Sequence, residues 1–167
     1  FWNQLDEIGI DAYFSPLVAL EKTEGVGNPS LDEVKAAWAS ILPAVEAFST
    51  NQGKPVIFSE WGCVPKDTTL YQPWDWNPSD IDDPLEQLVG YQGLIEATDH
   101  MGDWLKEIEF WHWAMPGNEG STFRITPDSL PGQYITNYVP EPATMTMTLF
   151  GVGATAIAAM RRRRETA

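Results

Sequence analysis

The residues best equipped for chemistry are one carboxylate and a set of aromatics. Glu60 ends the run Gly53-Lys54-Pro55-Val56-Ile57-Phe58-Ser59-Glu60-Trp61-Gly62. There Gly53 and Pro55 punctuate the start, three apolar β-formers follow, and Gly62 breaks the element. This pattern predicts a short buried strand that delivers Glu60 to its C-terminal end. A charge closing an apolar strand is costly unless solvent or a partner receives it. In a parallel α/β barrel that position opens into the catalytic mouth, where an acid has a task. In an ordinary strand end it would only join an ion pair. On this segment alone both readings stand.

The aromatics supply the second part. Trp111 and Trp113 alternate onto one face of the run Glu107-Ile108-Glu109-Phe110-Trp111-His112-Trp113-Ala114. Tyr71, Trp74 and Trp76 occupy a long loop, residues 63–82, just after Glu60, where length and aromatic content suggest substrate contacts. Flat apolar faces suit a sugar ring, and eight Trp exceed what a core of 167 residues usually needs. The plainer reading is packing, with a Trp-rich core and a loop that folds its own aromatics onto the rim. His100 and His112 have no metal-site spacing around them, and no metal or other cofactor is expected. The single Cys63 excludes an intrachain disulfide framework and reads as a small packing residue beside Glu60.

Three predicted strands and two helices must position these side chains. Residues 6–14 read as a strand with Gly9, Asp11 and Tyr13 on one face and Ile8 and Ile10 on the other. Asp11, on the same face, reads as a structural ion-pair partner, with a bond to a neighbouring polar group as the alternative. Ser30-Leu31-Asp32-Glu33 is a capping box, followed by a stripe of Leu31, Val34, Trp38, Ile41, Leu42, Val45 and Phe48. Pro43 should kink or interrupt that helix. Asp83-Pro84-Leu85-Glu86 opens a second helix with a cap and a first-turn Pro, and Leu85, Leu88, Val89 and Ile95 are expected on its buried side. Gly102 interrupts the pattern, and strands are expected near 8–13, 55–60 and 108–113. The order β-α-β-α-β leaves room for crossover helices and hence parallel strands. An open doubly wound sheet has the same order, but no glycine-rich phosphate loop is present.

Charge and composition divide body from tail. Residues 1–138 carry 6 Lys+Arg against 22 Asp+Glu, a balance of −16. Such a body argues against nucleic acid as a partner and suits a neutral polysaccharide. Residues 116–138 read as an irregular linker rich in Gly and Pro. Beyond it, Ala143–Met160 is an uncharged run of eighteen residues, about 27 Å long as a helix and close to the hydrocarbon thickness of a bilayer. Arg161, Arg162, Arg163 and Arg164 follow it and should remain cytoplasmic, placing the body on the other side. The alternative is an ordinary amphipathic or buried helix.

Two resemblances join these pieces. The tail, residues 139–164, resembles the PEP-CTERM sorting signal, with Pro140-Glu141-Pro142, the transmembrane-like helix 143–160 and the arginine cluster in order. This implies export, handling by an exosortase-type membrane enzyme, and a place in the cell envelope or outside the cell after processing. The body, residues 1–115, resembles the C-terminal part of a clan-A retaining glycoside hydrolase, with the family 113 β-mannanases as the match. The matching residues are Ile8-Gly9-Ile10-Asp11-Ala12-Tyr13-Phe14, Gly53 through Glu60, Pro73-Trp74-Asp75-Trp76, Glu86-Gln87 with Tyr91-Gln92, and Phe110-Trp111-His112-Trp113.

The resemblance implies strands six to eight of a (β/α)8 TIM barrel. Glu60 falls on the nucleophile position, Tyr13 beside it as the residue that orients it, and Trp111 or Trp113 on the floor of a sugar subsite. Tyr71, Trp74 and Trp76 lie in the loop at the same mouth. The implied substrate is a β-linked polysaccharide, with β-1,4-mannan as one candidate. Two departures stand out: the family's acid/base glutamate ends strand four, ahead of Phe1, and a Tyr is common where Cys63 stands. A chain beginning at Phe1 reads as part of a longer protein, inactive by itself. Two other functions remain open: a non-catalytic carbohydrate-binding or matrix protein with a barrel remnant, and a structural component of an extracellular polymer layer.

Overall fold

The computed structural model describes residues 4–14, 27–114 and 122–138. Three parallel strands lie side by side in chain order: β1 (Ile8–Asp11), β2 (Val56–Trp61) and β3 (Leu105–Phe110). The crossovers that parallel pairing requires are α1 (Leu31–Gln52) and α2 (Pro84–Thr98), and α3 (Leu130–Tyr138) follows β3.

Register decides which side chains meet the helices. Ile8 pairs with Val56 and Val56 with Leu105, while Ile10 pairs with Phe58 and Phe58 with Ile108. These two rows pack with Val34 and Trp38 of α1 and with Tyr91 and Leu94 of α2 in one core. The intervening row, Gly9–Ile57–Glu107, turns to the opposite face, where Gly9 and Glu107 are exposed. A doubly wound sheet would bury both faces under helices. Here α1 and α2 share one face, as in the wall of an α/β barrel.

Aromatic rings fill the layer between sheet and helices. Trp38 meets Phe14 edge-on at 6.0 Å between ring centroids and lies 6.1 Å from both Phe58 and Trp61. Trp61 continues the chain of contacts to Tyr91 at 4.9 Å, and Tyr91 to Phe110 at 5.2 Å. Edge-to-face pairs of this kind are each worth about 0.5–1.5 kcal/mol beyond the area they bury. Trp38 and Trp61 are thus core residues, as a packing reading of the tryptophans requires.

Both crossover helices begin at the caps the sequence predicts, but their bodies differ from expectation. At α1 the Ser30 hydroxyl accepts from the Glu33 amide at 3.3 Å, and the Glu33 carboxylate accepts from the Ser30 amide at 2.8 Å. The helix then runs without a break through Pro43 to Gln52. Ile41, Leu42 and Val45 are buried on both sides of the proline, so packing holds the turn that lacks its hydrogen bond. At α2 the Asp83 carboxylate accepts from the amides of Leu85 and Glu86. Leu85 is 58% exposed, contrary to the amphipathic reading, while Glu86, Gln87, Tyr91, Leu94 and Ile95 are buried. The close approach of the helices explains the rotation. A Cβ on Gly93 would lie 2.3 Å from Val34 Cγ1, so only glycine lets this face of α2 settle onto α1.

Two boundaries also move. The third strand spans 105–110 rather than 108–113, because the Leu105 amide bonds the Gly102 carbonyl in a turn and pairing starts at once. The 116–138 stretch expected to be irregular contains α3. Ser129 Oγ accepts from the Gly132 amide at 3.3 Å, and Pro131, at the first turn, needs no amide partner. Ile135 then packs on the core, and Tyr134 donates to Glu96 at 3.2 Å. The expected membrane-like helix 143–160 lies outside the described residues. Among those described, no helix is long and apolar enough to cross a membrane.

Candidate active site

The ends of β1 and β2 bring Tyr13 and Glu60 together. Asp11 pairs with Glu60 across the sheet, and the Ala12 amide donates to the Glu60 carbonyl at 2.7 Å, which extends the β1 edge past its last strand residue. The ladder is irregular here: Ile10 pairs with Phe58 but Asp11 with Glu60, so Ser59 is the extra residue of a bulge. Bulges re-aim side chains near functional sites, and this one turns Glu60 toward Tyr13. The phenol donates to Glu60 Oε1 at 2.8 Å, and both side chains are half-buried. Burial, then the hydrogen bond to Glu60 and the charge of that carboxylate, push the Tyr13 phenol far above its usual range. Tyr13 therefore stays a neutral donor at any working pH, and its hydroxyl fixes the position of Glu60 Oε1.

Below the pair the site rests on buried structure. Trp61 is fully buried under the sheet end, and Gly62 follows where β2 passes beneath the exit of β3. A Cβ on Gly62 would meet the Trp111 carbonyl at 1.9 Å, so the backbone there admits no side chain. The Trp111 amide donates to the Trp61 carbonyl at 2.8 Å, fixing Trp111 immediately beyond β3 and beside the end of β2. Trp111 and Trp113 are 41% and 37% exposed, so neither is spent on the core. Trp113 forms an isolated bridge with Ile125, and the Trp111–His112 peptide is cis.

The loop between β2 and α2 carries the other predicted contacts to the same end of the sheet. Trp74 and Trp76 are 45% and 54% exposed, and Tyr71 is half-buried. The Trp76 ring meets Phe123 edge-on at 4.9 Å, so part of that tryptophan folds back on the rim. The geometry thus unites Tyr13 and Glu60 directly, holds Trp111 at the neighbouring strand end, and places Tyr71, Trp74 and Trp76 in the adjoining loop. Asp11 follows the alternative reading, a neighbouring polar group, and not the ion pair. It accepts from the Ser59 hydroxyl at 3.0 Å, a neutral donor in place of an ion-pair partner. Pro140, Glu141, Pro142 and Arg161–Arg164 lie outside the described residues.

Sequence reasoning missed the residues that anchor this loop. Glu86, 2% exposed, accepts from the Thr68 amide at 2.8 Å and the Leu70 amide at 3.0 Å. Gln87, equally buried, donates from Nε2 to the Cys63 carbonyl at 2.8 Å. The acid three residues past Asp83 was read as a helix-start signal, which hid its burial. The available signal is Gly90 and Gly93, four and seven positions past Glu86, with Tyr91 and Leu94 at the same spacing from Gln87, all on the buried side of α2. Carboxylate oxygens of Asp67, Asp83 and Glu86 lie within 4.8 Å of one another. Both Glu86 oxygens serve backbone amides and Asp83 caps α2, so this cluster reads as loop anchorage. Cys63 packs as expected: it is fully buried, and burial pushes its thiol up.

Comparison with known proteins bears on family and fold. The family model for Glycoside Hydrolase Family 113 matches residues 1–122, and the PEP-CTERM protein-sorting motif matches residues 139–164. No curated protein matches the chain. A solved complex of a family 113 β-1,4-mannanase is 19% identical, with a TM-score of 0.58 over 83% of this chain and 40% of that one. A family 113 β-mannanase from Alicyclobacillus acidocaldarius in complex with ManMIm is 20% identical, with a TM-score of 0.59 over 83% and 39%. A further structure of a family 113 β-1,4-mannanase gives 20%, 0.58, 83% and 40%. The chain thus spans about 40% of the length of these structures, and the likeness is one of fold: a partial α/β unit with a three-stranded parallel sheet, consistent with a fragment of a (β/α) barrel. A three-stranded parallel wall, a carboxylate at its C-terminal end and a family match across well over half of the sequence lead to one assignment: the chain belongs to glycoside hydrolase family 113.

Proposed function

We propose that this chain is the C-terminal part of the catalytic barrel of an exported, retaining glycoside hydrolase that cleaves a β-linked polysaccharide, with β-1,4-mannan the favoured substrate. The observation that carries the reading is the 2.8 Å hydrogen bond from Tyr13 to Glu60 at the C-terminal ends of two parallel strands. Retaining hydrolysis needs two carboxyl groups about 5–5.5 Å apart. Glu60 attacks the anomeric carbon as the glycosidic bond breaks, and a second carboxylic acid protonates the departing oxygen. Water then opens the glycosyl ester, returning Glu60 to its ionised form. Tyr13 keeps Glu60 aimed, and one of Trp111 or Trp113 floors the subsite. Tyr71, Trp74 and Trp76 contact the glycan further along the cleft. The acid/base partner belongs to the portion of the barrel that precedes residue 1. The 167-residue chain alone is therefore expected to show no turnover.

The sorting motif supports export and processing by an exosortase-type enzyme near Pro140-Glu141-Pro142. In this reading the 143–160 run holds the precursor in the membrane with Arg161–Arg164 on the cytoplasmic side. Cutting the chain before Pro140 should release the protein from membranes without altering its ligand preference.

The test is Glu60→Gln in a protein that includes the complete barrel. Turnover of β-1,4-mannan should fall by at least about 10³-fold with glycan binding nearly intact, because the amide keeps the shape and removes the attacking charge. Full turnover in that variant would remove Glu60 from the nucleophile role. A second reading, a glycan-binding protein without hydrolysis, draws on the four exposed tryptophans at this end of the sheet. Binding of mannan by the complete protein without any turnover would select it.

A further inference from the structure

We propose that Glu86 is the positioning residue of the aromatic loop, and that loop 63–82 closes over the strand ends with uptake of a proton by its buried carboxyl group. The geometry makes Glu86 the point where loop and helix join. One carboxylate, 2% exposed, holds two backbone amides of the same turn, Thr68 at 2.8 Å and Leu70 at 3.0 Å. Between them the chain takes a costly shape. Thr68 has φ 63, a left-handed conformation that a β-branched residue rarely adopts without surrounding restraint. The turn leads directly into Tyr71, Trp74 and Trp76. Other ties include neutral bonds from Gln87 Nε2 to the Cys63 carbonyl, from the Asp83 amide to the Pro65 carbonyl and from the Asp67 amide to the Ile81 carbonyl, and the Lys66–Asp82 ion pair across the loop's two ends; none of these reaches the Thr68–Leu70 turn that Glu86 holds.

The surroundings of Glu86 disfavour its charge. Its two donors are uncharged amides, and the carboxylates of Asp67 from the loop and Asp83 from the helix start lie within 4.8 Å. Lys66, the nearby cation in sequence, is engaged by Asp82 at 2.8 Å. Cys63 also faces Glu86, and burial keeps its thiol neutral. Desolvation, outweighing the two amide bonds, raises Glu86 from 4.5 to about 7. The sign of the coupling follows. An open loop would return Glu86 to water and its ordinary value, so the closed state binds the extra proton. Closure is then favoured fully below 4.5 and loses that advantage as pH rises through about 7. A neutral Glu86 can also donate to Asp67 or Asp83, which an ionised one cannot.

The loop coupling stands on the burial of Glu86, its two amide bonds and its acidic neighbours, with the upward shift that burial causes, while its consequence for glycan binding rests on the function proposed above. The two are separable by experiment. Hydrogen exchange of the segment 66–71 in the full-length protein, corrected for intrinsic chemical exchange, reads the loop directly. Protection should fall by about tenfold or more between pH 5 and pH 8 in the wild type. In Glu86→Gln it should be lower at pH 5 and independent of pH, because the amide does not titrate and turns a donor toward one of the two amides. Asp67→Asn should keep a pH-dependent profile, displaced to lower pH by removal of a like charge. A flat wild-type profile overturns the proposal. So does an unaltered slope in Glu86→Gln, since another group would then carry the proton. If exchange behaves as expected but mannan-oligosaccharide affinity does not improve toward acid pH, the loop coupling stands and the ligand assignment of Tyr71, Trp74 and Trp76 falls.

Discussion

Two glutamates, 26 positions apart, are handled in opposite ways. Glu60 sits half-buried at the end of β2 and, among the described residues, receives a phenolic hydrogen bond from Tyr13 at 2.8 Å. Glu86 is sealed in the first turn of α2 with each oxygen committed to a backbone amide. On the proposed reading, the difference separates a carboxylate available for reaction from one consumed by structure. A nucleophile must keep lone pairs facing the space where an anomeric carbon would arrive. A loop anchor gains from having none left. Both side chains are acids beside an aromatic mouth, so residue type alone cannot tell them apart; saturation of their oxygens does.

The sharpest way to break this comparison is to neutralise each acid in turn. Glu60→Gln in the complete barrel should abolish turnover, by at least about 10³-fold, with little change in thermal midpoint. Glu86→Ala should act on stability, since it strands the Thr68 and Leu70 amides in a buried site. Unsatisfied buried donors cost about 1–3 kcal/mol each, offset partly by removal of a carboxylate whose charge is itself disfavoured there. A net loss of about 1–3 kcal/mol by denaturant titration is expected. If the two variants exchanged phenotypes, the assignment of roles would reverse.

Tyr13→Phe comes next. A hydrogen bond to a charged group contributes about 1.5–3 kcal/mol, so kcat should drop by roughly 10–100-fold with KM little changed. Loss confined to KM would mean that Tyr13 binds glycan rather than orienting Glu60.

The contrast also explains what was legible in the sequence. The strand ending in Glu60, the alternation that set Tyr13 apart from Ile8 and Ile10, and both helix caps were readable because local rules govern them. Period-two alternation and capping boxes act within a few residues. Long-range packing was not readable. The face of α2 is set by Gly93 meeting Val34, 59 positions earlier, and no window around the helix contains that contact. Leu85 was expected inside for its type and lies outside. In the other direction, Glu86 reads as part of a helix start, and the loop's need for two acceptors draws it into the buried layer. Pro131 read as a breaker in residues 116–138 and instead helps start α3 beside Ser129.

The smallest predicted effect tests where the active site ends. Ser59 is the extra residue of the bulge beside Glu60, and its hydroxyl donates to Asp11 at 3.0 Å on the face turned away from α1 and α2. The pair is solvent-facing, so Asp11 would regain a water if the hydroxyl were removed. Ser59→Ala should therefore cost no more than about 0.5–1 kcal/mol in stability and leave kcat within about twofold. A bulge needs its extra backbone residue rather than that residue's hydroxyl, so Glu60 should keep its aim toward Tyr13. A kcat loss comparable to that of Tyr13→Phe would show that the Asp11–Ser59 bond helps shape the nucleophile's position. The boundary between reactive and structural acids would then have to be redrawn to include Asp11, whose partner in the sheet is Glu60 itself.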